Sequence, residues 1–201
     1  MNDDITRIIK LSDLLAKCEE IKRKIKLPHG SDESDSHHAF SLAMIAYDIC
    51  KRYKLKLNLE KVIVYALVHD LLEIITGDEA TLNMTNEQLE AKRRREHAAL
   101  KEFEELMSDY PDLLAAFHDY ERLDTPEAAT VFVLDKTCTI WTHFHDTGSN
   151  LKAQGIMSRD DIRDWHTKAV HKICTRLQVD PPPVILQIFE DSYKKMHDEL
   201  F

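Results

Sequence analysis

Two hundred and one residues suit one compact domain with a sizeable core, so stability need not rest on disulfides or other staples. Charged residues make up 31% and are mixed in sign, which argues against disorder, and a net charge of −9 argues against a nucleic-acid polymer as partner. The four cysteines stand apart with no C-x-x-C, the N-terminus MNDDITRIIK lacks a signal-peptide core, and no apolar run approaches membrane-spanning length, so a reduced cytoplasmic protein away from membranes is expected.

Four glycines and six prolines are few, three of the prolines standing together at 181–183, and such sparse punctuation favours long helices. Residues 3–26 carry Ile5, Ile8, Ile9, Leu15, Ile21 and Ile25 at helical spacing and predict a first helix, broken by LPHGSDESDS. A second, 36–54, has the stripe Leu42, Ile45, Ala46, Ile49 and Tyr53. Asn58 caps a third, 59–76, which Gly77 ends. Thr85 and Gln88 form a capping-box pattern ahead of a charged helix that runs to residue 108. Segments 110–122, 126–146, 158–177 and 184–199 complete the pattern. The fold class is all-α, a globular helical bundle and one domain over 1–201, with no heptad sustained enough for a coiled coil.

Three of these apolar stripes carry ionisable residues. The stripe of 59–76 (Leu59, Val62, Ile63, Ala66, Leu67) continues onto Asp70, with His69 about 100° round the helix. Glu73 follows His69 by four residues and Asp70 by three, so it overhangs the same spot. Read backward from Leu42, the second stripe reaches His38, and on 126–146 Asp135 shares a face with Ala128, Val131, Phe132 and Cys138. A lone carboxylate on a core face must be protonated, ion-paired or metal-bound. Each residue alone also fits an ordinary role, His38 or His69 as a hydrogen-bonded core histidine and Asp135 as a partner of Lys136. Together, two imidazoles and two carboxylates suit a divalent transition metal, which neutralises the buried charge and activates water. The run KRRRE at 92–96 spreads around a helix between acidic residues and reads as a solvated, salt-bridged face.

The blocks ESDSHH at 33–38, VHDLLEIITGD at 68–78 and LDK at 134–136 resemble the H…HD…D signature of the HD-domain metal-dependent phosphohydrolases, in their small 5′-deoxynucleotidase-like branch. The resemblance covers about residues 15–145; helices within 158–200 resemble the family less. It implies one divalent ion (manganese, cobalt, zinc, iron or magnesium) held by His38, His69, Asp70 and Asp135. Glu33, five residues before His38, selects it over His37. The resemblance further implies Glu73 as base or orienter of the attacking water and Asp78 in contact with the site or substrate. Arg23 falls where the family places a phosphate-binding arginine at the end of the first helix, and Lys136 is a second candidate. Ser36-His37 and Lys24 depart from the family, which has a small residue and an acid at the first pair and an aromatic at the last. The activity so implied is release of the 5′-phosphate of deoxynucleoside monophosphates, in a protein that pairs as a homodimer. The rivals are a deoxynucleoside triphosphate triphosphohydrolase and a non-catalytic nucleotide-binding module.

Overall fold

The computed structural model describes residues 2–79 and 84–201. Helix α1 (Asn2–Glu20) buries Leu14 and Cys18 with Leu11 packed beside them, a face with spacings of three and four. That face is not the expected one: Ile5, Ile8, Ile9 and Leu15 are exposed. The helix also stops at Glu20 and not at residue 26. Lys22–Lys26 forms β1, antiparallel to β2 (Asp32–Ser34), with Lys22 opposite Ser34 and Lys26 opposite Asp32. The segment IKRKIK satisfies two periods at once. Ile21 and Ile25 are four apart, as in a helix, while Arg23 and Ile25 alternate with lysines, as in a strand. The strand wins because the alternation turns Arg23 and Ile25 inward and leaves Lys22, Lys24 and Lys26 in water. Gly30 closes the turn at φ 89°, its N–H donating to the Leu27 carbonyl at 2.8 Å.

Ser34 ends β2 and caps α2 (Asp35–Arg52), its Oγ accepting from the His37 N–H at 3.2 Å. The inner face of α2 is Asp35, His38, Leu42, Ala43, Ala46, Ile49 and Cys50; Tyr53, expected on that stripe, is exposed. Asn58 caps α3 (Leu59–Val68) by accepting from the Lys61 N–H at 3.2 Å. The expected helix 59–76 is interrupted. Residues 69–72 form a tightened turn in which the N–H groups of Leu71 and Glu73 reach back three residues, to Val68 at 3.1 Å and Asp70 at 2.9 Å, before α4 (Glu73–Thr76).

Two apolar clusters grip that turn. Tyr65 and Ala66 belong to the larger, with residues of α2 and of the later segments 126–142 and 183–200; Val68 and Leu71 belong to the smaller, with Phe103, Met107 and Phe117. Those last three come from α5 (Asn86–Leu106), its end, and α6 (Pro111–Arg122). The expected capping box of Thr85 and Gln88 opens α5. Helix α7 (Pro126–Thr142) starts from the Thr125 cap and buries every residue from Ala128 to Asp135, as a helix enclosed on all sides must. Its Thr130 and Thr137 hydroxyls are satisfied by the Pro126 and Val133 carbonyls, each at 2.7 Å. It ends at Thr142, before residue 146. The short α8 (Ser149–Ala153), unread in the sequence, precedes α9 (Arg159–Arg176) and α10 (Pro183–Leu200), both packed on α7. The fold is thus all-α with one small hairpin, and among the described residues no helix is long and apolar enough to cross a membrane.

His143, just past α7, is buried, and burial pushes its imidazole down to about 4, with Asp146 opposing. A depressed histidine stabilises the fold fully above its unfolded value, about 6.5, and loses that contribution as pH falls toward 4. Wild type should therefore lose up to about 1.4 kcal/mol per pH unit in that window relative to His143→Gln. Denaturant unfolding of both proteins between these limits checks this; parallel curves would remove His143 as the cause.

Candidate active site

The Ser34 cap sets the first turn of α2 so that Asp35 and His38 share its inner face. His38 Nε2 lies 3.0 Å from Asp135 Oδ1. His37, in contrast, is half-exposed, and its Nδ1 lies 3.3 Å from Glu33 Oε1. His69 follows the last residue of α3, and its Nδ1–H donates to the Ala66 carbonyl at 2.9 Å. That bond fixes the tautomer and leaves Nε2 as the nitrogen with a lone pair. Nε2 is buried without a partner in hydrogen-bonding geometry, although Asp70 Oδ2 stands 2.9 Å away and Asp135 Oδ1 3.9 Å away. The two imidazole rings are 5.3 Å apart, and Tyr120 meets His69 edge-on at 5.9 Å.

His38, His69 and Asp135 each present one atom of ligand type, all within 4.8 Å of one another; Asp35, Asp70 and Glu73 do the same beside them. An orphaned imidazole nitrogen and buried carboxylate oxygens on one small volume fit a divalent cation with mixed N and O ligands. The electrostatics divide the acids into two kinds. Asp135 is held well below the usual carboxylate range against burial, by Lys136, His38 and His69. Asp70 is likewise held low against burial, by His69 and Arg23. Burial, with Asp70, Asp35 and Asp78 nearby, pushes Glu73 up to about 10. Burial and Asp70 push Asp35 up to about 7. Glu73 Oε2 and both Asp35 oxygens have no hydrogen-bond partner.

Arg23 sits on β1 and not at a helix end. Its Nη1 donates to Asp70 Oδ2 at 3.0 Å and lies 3.8 Å from Asp35, and its Nε is 3.3 Å from Glu33 Oε2. The hairpin thus brings Arg23 to the cluster, and Glu33, fully buried, ties Arg23 to the back of His38, whose Nδ1 is 3.9 Å away. Gly77 adopts φ 71°, ψ 161°, a region open to glycine alone, and so bends the chain after α4. Asp78 follows it, half-buried and raised by burial and by Asp70, with Arg23 opposing. Lys136 Nζ donates to Asp135 Oδ2. The KRRRE face is ion-paired as expected, with Lys92 2.7 Å from Glu96 and Arg95 2.7 Å from Glu79.

Asp35 escaped the sequence reading. Its signal was present: in ESDSHH it stands three residues before His38, one helical turn away on the same face. Trp141 packs against the larger apolar cluster, and its Nε1–H donates to Ser192 Oγ at 2.8 Å.

A family model of the HD domain matches residues 15–177. The chain belongs to the HD-domain family. This HD domain is 32% identical over 138 residues to the 5′-deoxynucleotidase HDDC2 of Danio rerio, covering 66% of this chain and 64% of that protein. It is 34% identical over 106 residues to the Homo sapiens protein of the same name, covering 52% and 50%. The HD domain thus spans between half and two thirds of the length of these curated relatives, 50% and 64%. Among solved structures it superposes on a protein described as a predicted metal-dependent phosphohydrolase from Magnetospirillum magnetotacticum MS-1 with a TM-score of 0.70, at 20% identity over 96% of this chain and 92% of that one. It superposes on the PH0347 protein of Pyrococcus horikoshii OT3 with a TM-score of 0.57, at 20% identity over 98% and 99%. These two likenesses establish the overall fold.

Proposed function

We propose that this HD domain is a metal-dependent nucleotide phosphohydrolase that releases the 5′-phosphate of deoxynucleoside monophosphates. The observation that carries the reading is the buried convergence of His38, His69 and Asp135 within 4.8 Å, with Asp70 2.9 Å from His69 and Glu73 beside it. The name carried by the relatives, 5′-deoxynucleotidase, supports the substrate class.

In this reading His38, His69, Asp70 and Asp135 hold one divalent ion, which when bound supplies Lewis-acid polarisation of the phosphoryl group and of the attacking water. Glu73 accepts the proton of that water. Burial and the neighbouring acids favour its protonated form, and a bound divalent cation would favour the carboxylate that a base needs. Arg23 orients the phosphate and steadies Asp70, while Glu33 holds the guanidinium in place. Asp78, raised by burial and by Asp70 with Arg23 opposing, positions the water or the sugar. Lys136 neutralises charge next to Asp135.

The test is a panel of deoxynucleoside and ribonucleoside mono- and triphosphates, assayed with manganese, cobalt, zinc and magnesium in turn, with products separated by chromatography. Phosphate released from deoxynucleoside monophosphates is the expected result. Triphosphate release would replace the reading with a triphosphohydrolase. No turnover in any combination, with no metal in protein purified without chelators, would point to a non-catalytic binding module.

A further inference from the structure

A cavity of about 120 Å³ lies between α2 and the end of α7. One wall is the α2 ridge His37, Ser41 and Ile45, spaced by four. The other is Cys138, Trp141 and Thr142, spaced by three and four. Each ridge carries one small residue, Ser41 or Cys138, beside larger ones, so the two helices pack without filling the space between them. The hairpin segment adds Leu27 and Glu33. His38 also lines the cavity, while its Nε2 lies 3.0 Å from Asp135 Oδ1. One imidazole therefore borders both this cavity and the ligand cluster.

Its size and lining select an occupant. A closed apolar cavity of about 150 Å³ holds one benzene ring. This one, with the exposed His37 and His145 on its lining, has room for a single six-membered ring. Trp141 supplies a flat wall, fixed because its Nε1–H is held by Ser192 Oγ at 2.8 Å. Glu33 is buried, and its carboxylate lies 3.3 Å from His37 Nδ1 and 3.9 Å from His38 Nδ1, on two residues that share the cavity. The longer distance is beyond hydrogen-bond reach, and Glu33 Oε2 has no hydrogen-bond partner. Arg23 Nε, 3.3 Å from that oxygen, balances its charge without making a hydrogen bond to it. An anion is repelled by such a carboxylate, and a cation gains little from one already balanced. A neutral N–H donor gains a charge-assisted hydrogen bond. The Thr142 hydroxyl donates to the Thr139 carbonyl at 2.9 Å, which leaves its oxygen as a further acceptor. A flat, neutral, single ring with N–H donors is a pyrimidine base, whose amino or imino edge a carboxylate accepts.

We propose that the cavity walled by Ser41, Ile45, Cys138 and Trp141 binds a pyrimidine base, with Glu33 accepting from its N–H edge. This deepens the phosphohydrolase reading, on which the choice of a nucleobase rests, but base binding is measurable without turnover. Cytosine and thymine are the probes, titrated into the purified protein and followed by saturation-transfer NMR. Ser41→Leu and Thr142→Leu fill the space from opposite walls, both at half-buried positions; Met44→Leu alters an exposed residue of α2 outside the lining. Both bases should bind wild type, with affinity about tenfold lower in each filled variant and unchanged in Met44→Leu. Two sources of the base are separated in the hydrolysis assay. If the site receives the substrate's own base, cytosine competes with deoxycytidine monophosphate and Ser41→Leu raises KM about tenfold with far less change in kcat. If it receives a free pyrimidine, cytosine changes kcat through His38 without competing, and Ser41→Leu removes that effect. Absence of binding by either base overturns the proposal, as does wild-type affinity in both filled variants. If no nucleotide is hydrolysed but base binding and its loss on filling stand, the function falls and the site survives.

Discussion

Asp70→Ala should cut phosphate release to about 0.1% of the wild-type rate or less while leaving the fold intact, because loss of a metal ligand removes several kcal/mol of electrophilic stabilisation at about 1.4 kcal/mol per tenfold in rate. Asp70 is the hinge of the cluster: one oxygen, Oδ2, stands 2.9 Å from His69 Nε2 and 3.0 Å from Arg23 Nη1. Its removal would strand neither Arg23 nor His69 in the apolar interior. Arg23 keeps Glu33 and Asp35, and His69 keeps the Ala66 carbonyl. Lost activity with a preserved melting transition therefore reports chemistry and not unfolding. Elemental analysis should show the bound metal falling with the activity. A variant that kept both metal and full activity would place the ion elsewhere.

Glu73→Gln separates a base from a ligand. Turnover should fall by about 10²–10⁴, the usual contribution of general base catalysis, with metal content unchanged. Stability supplies a second and opposite signature. Glu73 is raised to about 10 by burial and by Asp70, Asp35 and Asp78, from an ordinary value of 4.5. A carboxyl raised on folding contributes stability that is full below 4.5 and is lost progressively as pH climbs toward 10. Glutamine carries no such penalty. In protein stripped with chelator, Glu73→Gln should melt together with wild type near pH 4.5 and several degrees higher near pH 8, the gap widening with pH. Added divalent cation should narrow the gap by neutralising the neighbouring acids. An identical pH dependence in the two proteins would show that Glu73 lies outside the acidic cluster's field.

These two variants rest on residues that stand close in the chain and were visible as interruptions of an apolar stripe. Helical spacing placed His69, Asp70 and Glu73 together even though the helix tightens across 69–72, since a tight turn still keeps residues three and four apart on one side. His38 and Asp135 were legible for a related reason: each lies on the buried face of a long helix whose period is set by many apolar neighbours. The errors came where local signals conflicted. KRKIK fits a strand and a helix, and the first helix has two apolar faces of which only Leu11, Leu14 and Cys18 met a partner. Nothing local separates such alternatives, because their energies differ only through what packs against them.

The sequence by itself determined the helical class, the three stripes that carry His38, His69 with Asp70, and Asp135, and the placement of Glu73 beside them. Tertiary structure alone decided the rest. It put Arg23 on a strand among carboxylates and brought Asp35 together with Asp70 and Glu73 from separate elements. Those relations join residues far apart in the chain, and their strength depends on distance and burial in the packed molecule, which no periodicity encodes.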